Sequence, residues 1–192
     1  MDEREGLPVV SFNSAAEWDA WLTKGGPAAG AWMRIAKRGA GVASVSYAEA
    51  VETAIRHGWI DGQKAPLDDR FWLQKFMPRR ARSRWSERNR DIAVRLIEEG
   101  RMAPAGLAQV EAARADGRWE RAYAPASTAS VPDDLRIALD ATPSAAEAFE
   151  GLDAANRYAI LYRVQDAKRR ETRARRIETF VAMLARGERL HE

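Results

Sequence analysis

The chain has no cysteine and only two histidines, His57 and His191. Without thiols there is no disulfide framework and no thiolate nucleophile. Two histidines far apart in the sequence make no ligand cluster, so neither a metal nor another cofactor is expected. Lysine is scarce too: of 31 basic residues five are lysine, which leaves 26 arginines. No apolar run approaches the roughly 20 residues that a membrane span needs. The opening MDEREGLPVV places acids where an export signal would place an apolar core. Gly39-Ala-Gly41 lacks the strand, the spacing and the lysine of a phosphate loop. These absences predict a cytoplasmic protein with no membrane span.

What is present is enough for a folded core, since 46% of the 192 residues are apolar. The length suits one domain with a helical extension, divided here into residues 1–125 and 126–192. The isoelectric point near 9.4 reflects arginine rather than lysine. A GC-rich composition accounts for the overall number of Arg and Ala. Placement is more informative, and arginine concentrates at 79–90 and 168–176.

Residues 1–12 read as a frayed polar leader. Ser14-Ala-Ala-Glu17 and Ser46-Tyr-Ala-Glu49 are capping boxes, each opening a helix. The first helix carries Trp18, Trp21 and Leu22; the second carries Tyr47, Ala50, Val51, Ala54 and Ile55 on one face. AWMRIAK (31–37) and RFWLQKF (70–76) read as strands, and Trp59-Ile-Asp-Gly62 as a short strand or turn. From Ser83 onward the pattern is helical, broken at Gly100, Gly117 and Gly187. Leu107, Val110 and Ala113 are expected to face inward. Pro132 and Pro143 start short helices, Asp153 caps another, and ASTAS (126–130) is the linker candidate. The fold class is therefore α+β and mainly helical: a small antiparallel sheet in the N-terminal half, with a helical C-terminal half.

Chemistry centres on residues 57–90. Asp61, in Gly-Trp-Ile-Asp-Gly, reads either as a base or substrate anchor or as a turn aspartate bonding backbone amides. His57 reads as its proton-shuttle partner or as a helix-end histidine. Arg79, Arg80, Arg82 and Arg84 precede any acid until Glu87. With Ser83 and Asn89 they form either an anion site or an internal salt-bridge cluster. Trp59, Trp72 and Trp85 are ring faces for a ligand or, for at least two of them, core. Lys168, Arg169, Arg173 and Arg176 make a secondary basic face, with Asp166–Arg170 and Glu171–Arg175 placed to pair at helical spacing.

Several strings together resemble the bacteriocin-protection, YdeI/OmpD-associated family. They include Trp18-Asp-Ala-Trp-Leu22, Ser46 through Val51, Gly58-Trp-Ile-Asp-Gly62, and Pro78-Arg-Arg through Ser83-x-Trp-Ser86 to Asn89. Gly100-Arg-Met-x-Pro-x-Gly106, Gly117-Arg-Trp119 and Ala167 through Ile177 complete the set. The resemblance spans roughly residues 12 to 187. It implies tolerance of bacteriocins or antimicrobial peptides and brings no catalytic residue or cofactor. The expected function is a non-enzymatic stress-tolerance protein whose ligand surface comprises Trp59, Asp61, Arg79, Arg80, Arg82, Ser83, Arg84, Trp85 and Asn89. Its partner would be an anionic small molecule or an acidic protein surface. One alternative is a nucleic-acid-binding module using both basic segments. A second is a small-molecule enzyme centred on His57 and Asp61.

Overall fold

A computed structural model describes residues 2–126 and 128–191. The chain forms two compact units, Met1–Ala122 and Tyr123–Glu192. The first contains strands β1 (Glu3–Arg4), β2 (Leu7–Ser11), β3 (Ala31–Ala36), β4 (Trp59–Pro66) and β5 (Phe71–Pro78). It also holds helices α1 (Ala15–Thr23), α2 (Tyr47–Arg56), α3 (Glu87–Glu98) and α4 (Pro104–Ala115). The second unit is helical: α5 (Asp133–Asp140), α6 (Pro143–Glu150), α7 (Ala154–Asp166) and α8 (Arg170–Ala185). The fold is α+β and mainly helical, with its sheet in the N-terminal half.

The sheet is mixed rather than purely antiparallel. Its order is β1-β2-β3-β5-β4, and β2 runs parallel to β3 with Val9 opposite Trp32. The residues expected to fray thus form a hairpin and an internal strand. A short run with Pro8 in it, flanked by acids, gives little strand signal of its own. What fixes it is tertiary: Leu7 is buried, and α1 supplies the crossover that a parallel pair requires.

Helices cover one face of this sheet. Ser14 caps α1 by accepting from the Glu17 backbone N–H, while the Glu17 carboxylate takes the N–H of Asn13 at 2.8 Å. Ser46 and Glu49 close the full reciprocal box on α2. Both helices therefore start where their apolar faces begin. The core they build is aromatic: Trp18 lies 5.2 Å from Trp21, 6.0 Å from Trp59 and 5.6 Å from Phe76, ring centre to ring centre. Trp18 is completely buried, so its indole N–H needs a partner, and it donates to the Ala50 carbonyl at 3.1 Å. That bond ties α1 to α2 through the core.

Two glycines set how α4 meets α2. Gly58 ends α2 with φ +75°, and a Cβ there would lie 2.8 Å from the Ala105 carbonyl oxygen. A Cβ at Gly106 would collide with the carbonyl oxygen of Arg56. Leu107 was expected inward, yet it is 36% exposed while Gly106 is buried. The face with the smallest residue turns inward because only glycine admits the neighbouring backbone.

In the second unit Leu135, Phe149, Ile160, Val164, Phe180 and Leu184 are buried together. Asn156, also buried, donates to Asp153 Oδ2 at 2.9 Å and accepts from the His191 N–H at 2.9 Å. One amide thus fastens the chain's last turn to the start of α7. Of the linker candidate ASTAS, Ser127 lies outside the described residues, while Thr128 and Ala129 donate to the Pro125 carbonyl at 3.0 Å.

Two substitutions test this packing. Trp85→Ala empties a site that is 1% exposed and costs about 3–5 kcal/mol, measured as a shift in the urea-unfolding midpoint. Gly→Ala inside a helix ordinarily gains about 1 kcal/mol. Gly106→Ala should instead lower the melting temperature, because α4 must move off α2.

Candidate functional site

The segment between β5 and α3 carries Arg79, Arg80, Arg82 and Arg84, and two buried arginines, Arg79 and Arg118, anchor it. Arg79 is 5% exposed; its guanidinium carbon lies 3.6 Å from the Trp85 ring centre, and its Nη1 donates to the Arg84 carbonyl at 3.0 Å. Trp85 in turn packs edge-on to Trp119 at 4.9 Å. Arg118, 9% exposed, donates Nη1 to the Ser83 carbonyl at 2.8 Å and Nε to Asp116 Oδ2 at 2.7 Å. The hydrogen bond from Arg118 holds the Asp116 carboxyl below the usual carboxylate range. A buried guanidinium persists only where carbonyls, carboxylates or ring faces replace water. Both therefore serve as anchors, and Trp59 and Trp85 are core rather than surface.

Above these anchors the loop is closed on itself. Ser83 Oγ accepts from the Arg80 N–H at 2.9 Å, and the Ser83 N–H donates to the Arg80 carbonyl at 2.8 Å. Helix α3 starts later than the sequence pattern predicts. Ser86 is its N-cap, accepting from the N–H of Asn89 at 3.1 Å, and Asn89 is itself buried. Arg79, Arg80, Arg82 and Arg84 thus precede the helix, and Glu87 occupies its first turn. Opposition to the helix dipole is not what shapes their placement.

Arg80, Arg82 and Arg88 are exposed, and among the described residues no carboxylate lies within 4 Å of their nitrogens. Arg88 leans over the Tyr47 ring at 5.6 Å. The Tyr47 hydroxyl donates to Asp61 Oδ2 at 2.7 Å, and its ring lies 5.7 Å from Trp72. Tyr47 opens α2 directly after its cap, and Asp61 sits on β4 just before a bulge between Asp61 and Lys64. Buried Gln74 fills that bulge by donating to the Gly62 carbonyl at 2.8 Å. Tyr47, Asp61 and Arg88 therefore meet from three elements at the loop's edge.

His57 and Asp61 do not form a dyad. His57 Nε2 lies 2.8 Å from Asp19 Oδ1, which also takes Arg56 Nη1 at 2.5 Å. Asp61 has Tyr47 instead. The four residues after a helix cap carry the chain around Gly58, so His57 ends on the α1 side and Asp61 on the sheet.

The second basic segment is partly consumed by its own unit. Arg173 donates to Asp134 Oδ2 and Oδ1 at 2.5 and 2.8 Å and to the Val164 carbonyl at 2.9 Å. The hydrogen bond from Arg173 depresses the Asp134 carboxyl below its ordinary range. Arg176 donates to the Arg163 carbonyl at 2.5 Å and to Asp166 at 3.4 Å. Lys168 and Arg169 are exposed between the helices. The expected Asp166–Arg170 pair fails because Asp166 closes α7 and Arg170 opens α8.

Tyr47, Arg88, Asp19 and Arg118 were missed as site residues. The only sequence signal for them was adjacency: Tyr47 follows a cap, and Arg118 follows Gly117. Among the described residues no three His, Asp or Glu side chains are placed to hold a metal ion.

The Tyr47 phenol gives a test of the polar corner. Burial raises its pKa above the ordinary value of 10.0, and the Asp61 hydrogen bond and charge add to the rise. A raised folded-state pKa stabilises fully below the unfolded value and is lost as pH climbs beyond it. Tyr47→Phe should therefore cost about 1 kcal/mol at neutral pH. The deficit relative to wild type should shrink above about pH 10, measured by urea unfolding across pH.

Residues 10–109 match the model of a domain of unknown function, DUF8412. Residues 128–187 match the model described as bacteriocin-protection, YdeI or OmpD-associated. The strings from Trp18 to Gly106 fall inside the first match rather than the second, so the expected family covers less of the chain than its resemblance did. No curated protein and no solved structure matches the chain. Among the described residues no helix is long and apolar enough to cross a membrane. With half of its length under the first model, the chain belongs to the DUF8412 family, and it carries a bacteriocin-protection, YdeI or OmpD-associated module at residues 128–187.

Proposed function

We propose that this is a non-enzymatic, cytoplasmic stress-tolerance protein that holds an anionic partner on the loop of residues 80–88. The family module supports a protective, YdeI-like role in general terms. The single observation that carries the binding reading is the division of labour among the arginines. Arg79 and Arg118 are buried under the loop and donate to its carbonyls, while Arg80 and Arg82 on the loop and Arg88 in the first turn of α3 are exposed, with no carboxylate within 4 Å of their nitrogens among the described residues. A rigid loop bearing guanidiniums binds an anion without first ordering itself, so little affinity is lost to entropy. Tyr47 and Asp61 border this surface and give it a polar edge for a neutral part of the ligand. The partner is an anionic small molecule or an acidic protein surface.

The test uses pyrophosphate as the probe in isothermal titration. Changing Arg80 and Arg82 together to Gln should weaken binding at least tenfold, about 1.4 kcal/mol, with the melting temperature unchanged. Changing Lys168 and Arg169 to Gln should do much less. Absence of pyrophosphate binding by the wild-type protein, or unfolding of the Arg80/Arg82 variant, would overturn the reading. Equal losses from both pairs would move a nucleic-acid reading ahead of it.

A further inference from the structure

Among the described residues of the first unit, the second face of the sheet is lined by strands and carries no helix of that unit. Leu7, Val9, Trp32, Ala65 and Leu73 form a small apolar cluster there, and strands alone supply it. Cations roof this cluster and its neighbour Phe71. Arg4 and Lys75 lie 5.1 and 5.4 Å from the Trp32 ring centre, and Arg34 and Arg70 lie 5.1 and 5.8 Å from that of Phe71. The roof is tight enough to leave Trp32 only 1% exposed. Side chains packed over rings have already lost part of their rotamer freedom, so they bind at low further cost.

These cations are poorly neutralised. Among the described residues Lys75 alone of the four has a carboxylate within 4 Å, Glu5 at 3.4 Å. Arg34 Nε donates to Ser11 Oγ at 2.9 Å, which fixes the guanidinium, while its terminal nitrogens make no hydrogen bond among the described residues. Asp68 Oδ1 accepts from the backbone N–H groups of Arg70 and Phe71, each at 2.8 Å, and the Asp68 charge also acts on Lys37 and Arg34 from beyond 4 Å. Beside Arg34 opens a cleft of about 290 Å³ lined in part by Ser11, Asn13, Ser44 and Phe71.

We propose that this open face binds single-stranded nucleic acid, with backbone phosphates on Arg4, Arg34, Arg70 and Lys75 and an unstacked base in the cleft beside Phe71. Extent argues for a polymer over a small anion. Phe71 and Lys75 share one face of β5 four residues apart, roughly 13 Å along the strand, too far for one phosphate to reach both ends. Cations over rings beside a cleft suit free bases, which a duplex keeps stacked inside. The face is separate from the loop of residues 80–88, because Tyr47 and Trp85 belong to the core on the helix side.

The experiment is fluorescence anisotropy with a labelled oligothymidylate across a salt series. Arg34→Gln with Arg70→Gln should weaken binding at least tenfold. It should also flatten the dependence of log affinity on log salt by roughly 1.4, two phosphate contacts at about 0.7 each. Lysine at both positions should restore the slope, and Arg80→Gln with Arg82→Gln should leave affinity and slope unchanged. If the Arg34/Arg70 variant fails to fold, Arg4→Gln with Lys75→Gln reads the same face and should show the same loss. Three results would overturn the proposal. They are no binding by wild type at low salt, an equal loss in the Arg80/Arg82 variant, and affinity for thymidine monophosphate or for duplex equal to that for the oligomer.

Discussion

A guanidinium removed from water is the constraint on which the basic loop of this protein depends. Moving such a charge inside costs several kcal/mol even after relaxation. Arg79 offsets that cost with the Arg84 carbonyl and with the Trp85 face at 3.6 Å, where desolvation strengthens a cation–π contact to about 2 kcal/mol. The arrangement works only if Trp85 is itself fixed, which Trp119 and the core on the helix side provide. It works only if the loop returns its carbonyl to the same place. Loop conformation, ring packing and buried charge therefore stand or fall together. A flexible basic loop would have required none of them.

The same economy runs through the other arginines. Some of them meet backbone carbonyls or acids inside a unit, and others lie exposed. Arg118, Arg173 and Arg176 each donate to a carbonyl and also have an acid within 4 Å. A planar fork with several donors can serve two acceptors at once, which a lysine cannot do in the same way. An arginine-rich composition thus becomes a means of tying loops and helix ends down. Arg80 and Arg82 on the loop, Arg88 in the first turn of α3 and Arg70 just before β5 are exposed, while Arg34 on β3 is half-buried.

The two halves also divide by what holds them. The first unit rests on large rings around Trp18, with one indole N–H satisfied by the Ala50 carbonyl. The second packs aliphatic and phenylalanine side chains between four short helices and closes its end through Asn156. Separate cores agree with separate family matches at residues 10–109 and 128–187. The bacteriocin-protection, YdeI or OmpD-associated match and the loop proposed to bind an anion thereby lie on different pieces of chain.

Sequence alone determined what local chemistry can determine. Ser14, Ser46 and Asp153 named their helix starts because a cap is a contact within four residues, and Gly58, Gly100 and Gly187 named their helix ends because only glycine enters the left-handed region cheaply. The glycine-bounded run 31–37 and the alternation in 70–76 were likewise legible as strands from local pattern. Tertiary structure decided the rest. Residues 7–11 became a strand because β3 offered a parallel edge, and α4 turned Gly106 inward because the Arg56 carbonyl stood there. His57 and Asp61, four apart in sequence, parted to Asp19 and Tyr47 because a helix ends between them and a strand begins. Arg79 and Arg80 are adjacent and of one type, yet one is buried and the other exposed. That outcome depends on where Trp85 and the Arg84 carbonyl come to rest, and no spacing along the chain encodes it.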